Sequence, residues 1–172
     1  MDSYAESLEK VIMSGIGSVV TESYLPLQVE IANEGTRKLL AGLLSECSRN
    51  RAVDCWRLLK RLNEKRPEEL SLQTGLVVAF NGDQLCLRDE SLENIAEPPE
   101  WGWTAEDGLT LLRLVRGQPL RNLVRHEMGR LLGTNLGIDQ SHPNCVMDYT
   151  CMKEEFCAEC KQEISRTCQI TD

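Results

Sequence analysis

The chain has 172 residues, enough for one domain with a proper core and too few for two comfortable ones. Its apolar share of 41% and charged share of 27% are those of an ordinary globular protein. The formal charge of -8 and pI near 4.9 argue against a nucleic-acid surface, which needs a basic stripe to neutralise phosphates, and fit solubility in the cytosol.

No apolar run reaches the roughly 18 residues of a membrane span. The opening MDSYAESLEK is acidic and lacks the basic and then apolar layout of a signal peptide. A cytoplasmic protein without membrane partners is therefore expected. In that setting the C-x-x-C spacing among the eight cysteines favours metal-bound thiolates over disulfides. Cys47, Cys55 and Cys86 lie in apolar contexts and are expected to be small buried residues.

In chain order, Tyr4, Leu8, Val11 and Ile12 share one helical face, and Gly15 and Gly17 are expected to end that short helix. The alternation in Leu27-Gln28-Val29-Glu30-Ile31, after Pro26, predicts an early strand. Leucines 39, 40, 43 and 44 trace a core-facing helical stripe, repeated by Trp56, Leu59 and Leu62 beyond the polar break at residues 48–50. Two helices, or one with a kink, should back the sheet. Arg57, Lys60, Arg61, Lys65 and Arg66 are read as a solvated face.

Residues 75–80 form a continuous apolar run, followed by Asn81-Gly82 and then Leu85-Cys86-Leu87. Two strands joined at that turn are predicted. After a Pro98-Pro99 loop come Trp101 and Trp103, expected in the core or, as an alternative, as an apolar patch for a partner. A strand over 109–115 follows. Pro119 suits the first turn of a helix, and Leu120, Leu123, Val124, Met128, Leu131 and Leu132 continue its apolar stripe to a stop at Gly137. His126 and Glu127 on that helix are read as a polar face or as remnants of a metal ligand and a base.

The segment from Arg130 to Cys160 holds four cysteines and one histidine, arranged as His142-x-x-Cys145 and Cys157-x-x-Cys160. Each two-residue gap lets both ends of a turn bind one ion, the layout of a structural zinc clip. A structural zinc takes four ligands, and beside Cys145, Cys157 and Cys160 the fourth is His142 or, as an alternative, Cys151.

This segment resembles the end of the archaemetzincins, zinc metallopeptidases of the metzincin clan. Their pattern is H-E-x-x-H-x-x-G-x-x-H-C, then C-x-M, then a closing C-x-x-C. Cys145-Val146-Met147 and Phe156-Cys157-x-x-Cys160 carry the resemblance. In the gapless register, the more economical of two, Gly137 falls on the family glycine. The histidine positions then hold Arg130, Thr134 and Gln140, the glutamate position Leu131, and Ser141 replaces the first structural-zinc cysteine. A second register, with a four-residue insertion, aligns His126, Glu127, Arg130 and Gly133, with Leu136 at the third histidine.

In both registers at least two of the three catalytic-zinc histidines are missing. The resemblance implies an α/β fold with a twisted mixed sheet of about 4–5 strands and backing helices. It implies a single domain, with residues 1–136 as the sheet and helix part and 137–172 as a zinc-pinned lobe, and with Met147 packed beneath the former active site. One structural zinc, no catalytic zinc and a peptide or protein partner in the old cleft are what it implies for function. The alternative is an active peptidase with an atypical site built on His126 and Glu127.

Overall fold

The computed structural model describes residues 2–22, 31–65, 75–81, 84–86, 101–105, 108–115, 117, 119–134, 144–148 and 153–169. The protein is α/β, with five helices and two three-stranded sheets among those residues. The expected strand at 27–31 and the Pro98-Pro99 loop lie outside them, Ile31 excepted. The chain divides into two compact units, residues 30–116 and, from its two ends, residues 1–29 with 117–172. This grouping is distinct from a division at residue 136.

Helix α1 (Asp2–Glu22) belongs to the other unit; in the contiguous one, helix α2 (Glu34–Cys47) starts where the Asn33 carboxamide oxygen accepts from the Thr36 amide at 2.9 Å. It leads into strands β1 (Ser48–Arg49) and β2 (Ala52–Asp54), a hairpin absent from the sequence reading. Asp54 then caps helix α3 (Cys55–Lys65), its carboxylate accepting from the Arg57 amide at 3.0 Å. This start sets the buried stripe at Cys55, Leu58 and Leu62. Trp56, expected to face the core, is instead 48% exposed and meets buried Trp103 edge-on at 5.4 Å.

Strands β3 (Leu76–Asn81) and β4 (Gln84–Cys86) lie where two strands were expected around Asn81-Gly82, yet they do not pair with each other. β4 pairs parallel with β2, and β3 pairs parallel with β6 (Leu109–Leu114). The other edge of β6 carries β5 (Gly102–Thr104), antiparallel. Among the described residues the strands form the orders β1-β2-β4 and β3-β6-β5. Central β6 buries Leu109 through Leu112 consecutively, the mark of a strand covered on both faces. The Thr104 and Thr110 hydroxyls, directly opposite in register, share a hydrogen bond of 3.0 Å.

The core of this unit joins Leu40, Leu43, Val53, Leu58, Val78 and Leu111, with Cys47 and Cys55 buried beside them as expected. Trp103 is buried too, whereas Trp101 stays 38% exposed. On the basic face of α3, Arg61 and Lys65 reach Glu46, and Arg61 also reaches Glu64, all at partly exposed side chains.

The other unit is helical among its described residues. Helix α1 (Asp2–Glu22) passes through both Gly15 and Gly17, where it was expected to stop. The reason at Gly15 is close packing: a Cβ there would lie 2.8 Å from Val124 Cγ1 on α4 (Leu120–Leu131). Ile16 and Val19 bury the same side of α1. Gly17 faces open space.

The two glycines therefore predict opposite responses to alanine. Gly17→Ala should stabilise the protein by about 0.5–1 kcal/mol through helix propensity alone. Gly15→Ala gains the same propensity but must displace the stiff Val124 side chain, for a net loss of about 1–2 kcal/mol. Urea denaturation midpoints of the two variants check both signs.

Candidate metal centre

Helix α4 begins after Pro119, whose missing amide proton is not needed there; the Leu123 amide bonds the Pro119 carbonyl at 3.0 Å. It ends earlier than expected. Gly133 takes φ +94°, its amide donates to the Arg130 carbonyl at 3.1 Å, and the Thr134 amide donates to the Gly129 carbonyl at 3.0 Å. These are the two bonds of a Schellman motif, which needs glycine in the left-handed position. Gly133, not Gly137, stops the helix, so Arg130 and Thr134 are not successive turns of one helical face.

The face of α4 that carries Arg125, His126 and Glu127 is buried, with exposures of 1%, 5% and 0%. In contrast to the polar helix face expected from the sequence, these groups are inside and need partners. The Arg125 guanidinium donates to both carboxylate oxygens of Glu22 on α1, at 2.9 and 2.6 Å, and to the Ser18 hydroxyl at 2.7 Å. It also lies over the Phe156 ring, 5.5 Å from its centroid. That hydrogen-bonded pairing with Arg125 holds the Glu22 carboxyl below its ordinary range, against partial burial.

The His126 Nδ1 lies 2.9 Å from the Val146 carbonyl, which can only accept, so Nδ1 carries the proton. Burial holds the ring below its usual pKa, with smaller opposing pulls from Glu127 and that carbonyl. The neutral ring then has its lone pair on Nε2.

Around the end of α4 sit the residues of the C-terminal knuckle. Residues 144–148 form a turn opened by Asn144 at φ 64° and closed by the Asp148 amide on the Cys145 carbonyl at 3.0 Å. The Val146 amide donates to the Glu155 carbonyl at 2.8 Å, tying the turn to the chain entering helix α5 (Ala158–Gln169). Cys157 directly precedes that helix, its carbonyl accepting the first helical bond from the Lys161 amide at 3.1 Å. Cys160 lies in the first turn, and the amides there make a positive end that favours thiolate charge.

The sulfur atoms of Cys145, Cys157 and Cys160 all lie within 4.8 Å of one another, a group that could hold a metal ion. Cys145 and Cys160 are fully buried, with their sulfurs 3.6 Å apart. The Met147 and Cys157 amides point at the Cys145 sulfur at 3.5 and 3.2 Å, donors that stabilise a thiolate. Burial and the two neighbouring cysteines push the Cys160 thiol well up, so a bound cation is what would let the set ionise.

Packing locks this knuckle to α4. A Cβ at Gly129 would lie 2.6 Å from Met147 Sδ and 2.7 Å from Phe156 Cε1. The Thr134 hydroxyl donates to Met147 Sδ at 3.5 Å. Met147 thus packs half-buried against the end of α4, and Phe156 and Ile164 are buried.

Of the residues singled out in the sequence, Cys145, Cys157 and Cys160 are brought together, and His142, Cys151 and Gln140 lie outside the described residues. Arg130 and Leu131 are half-buried at the end of α4, and Thr134 is buried just beyond it. Arg125 and its clamp on Glu22 had no sequence signal, because the partners are 103 residues apart. No protein-family model, curated protein or solved structure matches the chain.

The Glu22 carboxyl supplies a pH prediction. Its pKa is lowered on folding, so its contribution is full above the unfolded value of about 4.3 and is lost as pH falls through the folded value. Acid titration of stability should show this loss in the native protein and a shallower slope below that pH in Glu22→Gln, with a lower stability at neutral pH.

Proposed function

We propose that the chain is an archaemetzincin homologue that has lost its catalytic zinc, keeps one structural zinc in the cysteine knuckle, and acts by recognising a peptide or protein. The observation that carries the reading is the set of three sulfurs within 4.8 Å of one another. Tetrahedral zinc with sulfurs at its usual bond length spaces them about 3.8 Å apart, close to the 3.6 Å between Cys145 and Cys160. Zinc suits three soft thiolates better than calcium or magnesium does. His142 or Cys151 completes the shell.

The end of α4 supports the second of the two sequence registers. With the helix stop at Gly133, the family's histidine-glutamate pair aligns with buried His126 and Glu127, and its second histidine aligns with Arg130. An arginine does not bind zinc and repels a neighbouring cation. Leu136, at the third position, has no ligand atom at all. This reading carries with it the family's single twisted sheet, a reducing cytosol in which the thiols stay available, and a partner seated in the position of the old substrate cleft.

A second reading, an active zinc peptidase with an atypical site, has one observation in its favour. The Nδ1 hydrogen bond of His126 leaves Nε2 as the lone-pair nitrogen, as in a zinc ligand, beside a buried carboxyl group.

Metal analysis separates the two. The proposed reading predicts one zinc per chain, reduced to well below half by Cys160→Ser, with loss of thermal stability on chelation. Two zincs per chain, or none, would count against it. Peptide hydrolysis should be undetectable in the native chain; an activity present there and abolished by Glu127→Gln would establish the second reading instead.

A further inference from the structure

Strands β1 and β2 pair Ser48 with Val53 and Arg49 with Ala52, leaving Asn50-Arg51 as a two-residue turn. Both turn residues have positive φ, 51° and 62°. That is the pattern of a type I′ turn, whose preferred sequence is Asn-Gly. Asn50 conforms. Arg51 does not, since a long side chain is strained in the left-handed region where glycine is not. A residue kept against its backbone preference points to use of its side chain.

Beside this turn lies a cleft of about 520 Å³, within the range of small-molecule sites. Arg49, Arg51 and Asn81 stand at its polar edge, and Leu44, Val53 and Phe80 supply apolar lining. Among the described residues neither arginine has an ion-pair partner, whereas Arg61 in the same unit has two. The chain as a whole carries a charge of -8, so these two guanidinium groups form a local attraction for anions against an overall repulsion.

We propose that this cleft binds a small organic anion, an anionic head of the carboxylate or phosphate-monoester kind on a flat apolar body. The two guanidinium groups take the head, each offering a planar fork of donors. Leu44 and Phe80, both half-buried, take the body above buried Val53. The inference does not depend on the metal centre.

Calorimetric titration of the full chain with phenyl phosphate, phenylacetate and inorganic phosphate tests it. Saturable binding of at least one organic anion, tighter than inorganic phosphate, is expected; which of the two binds tighter identifies the head group. Arg49→Gln and Arg51→Gly should each weaken that binding at least about tenfold, the loss of charge-assisted bonds. Arg51→Gly should at the same time raise the thermal midpoint, because it restores the preferred turn sequence. The proposal is overturned if neither organic anion binds saturably, if inorganic phosphate binds as tightly, or if the variants bind unchanged. A lowered midpoint in Arg51→Gly would overturn it too, since Arg51 would then serve the fold.

Discussion

Three sulfur atoms confined within 4.8 Å of one another set the terms for the unit built from the chain's two ends. As neutral thiols they would pack as small apolar groups with weak donors and weak acceptors. As thiolates they repel one another unless a cation sits between them. Two amides aimed at the Cys145 sulfur and the start of α5 at Cys157 and Cys160 favour charge on the sulfurs, whereas burial and the neighbouring cysteines hold the Cys160 thiol protonated unless a cation is bound. The knuckle is then held to α4 by a contact that leaves no room for a side chain at Gly129. Geometry at the sulfurs and geometry at the end of the helix are therefore parts of one packing problem.

Arg125 extends that problem to α1. A guanidinium 1% exposed is costly unless its charge is met, and Glu22 and Ser18 accept from its two terminal nitrogens on α1 while Phe156 lies against it and Nε stays buried without a partner. Phe156 is also the residue before Cys157. The ion pair thus sits between the N-terminal helix and the knuckle, and its geometry depends on both being docked.

Much of the site was legible because its signals are local. Cys-x-Met, Cys-x-x-Cys and the apolar stripe of α4 each lie within a few turns of chain, and spacing together with the family resemblance singled out the three cysteines whose sulfurs lie together. What sequence missed was decided at a distance or by competing local signals. Asn81-Gly82 marks a turn between two strands, but turn chemistry does not choose sheet partners, and β3 and β4 went to different sheets. The β1–β2 hairpin, in Ser48-Arg49-Asn50-Arg51-Ala52-Val53-Asp54, has no alternation long enough to register. Gly15 reads as a helix stop by composition and serves as a contact point because Val124 occupies the place of its side chain. Gly133 and Gly137 are both plausible stops, and only the backbone angle at Gly133 chooses between them.

The division of the chain gives this protein an order of assembly. Residues 30–116 form a contiguous unit that can collapse as soon as it leaves the ribosome, whereas α1, which precedes it, must wait for α4 before Glu22 can find Arg125, 103 residues later. Until then its apolar side, with Ile16 and Val19, has no native cover. Closing so long a loop costs entropy, so the pairing of α1 with α4 follows the collapse of the contiguous unit between them.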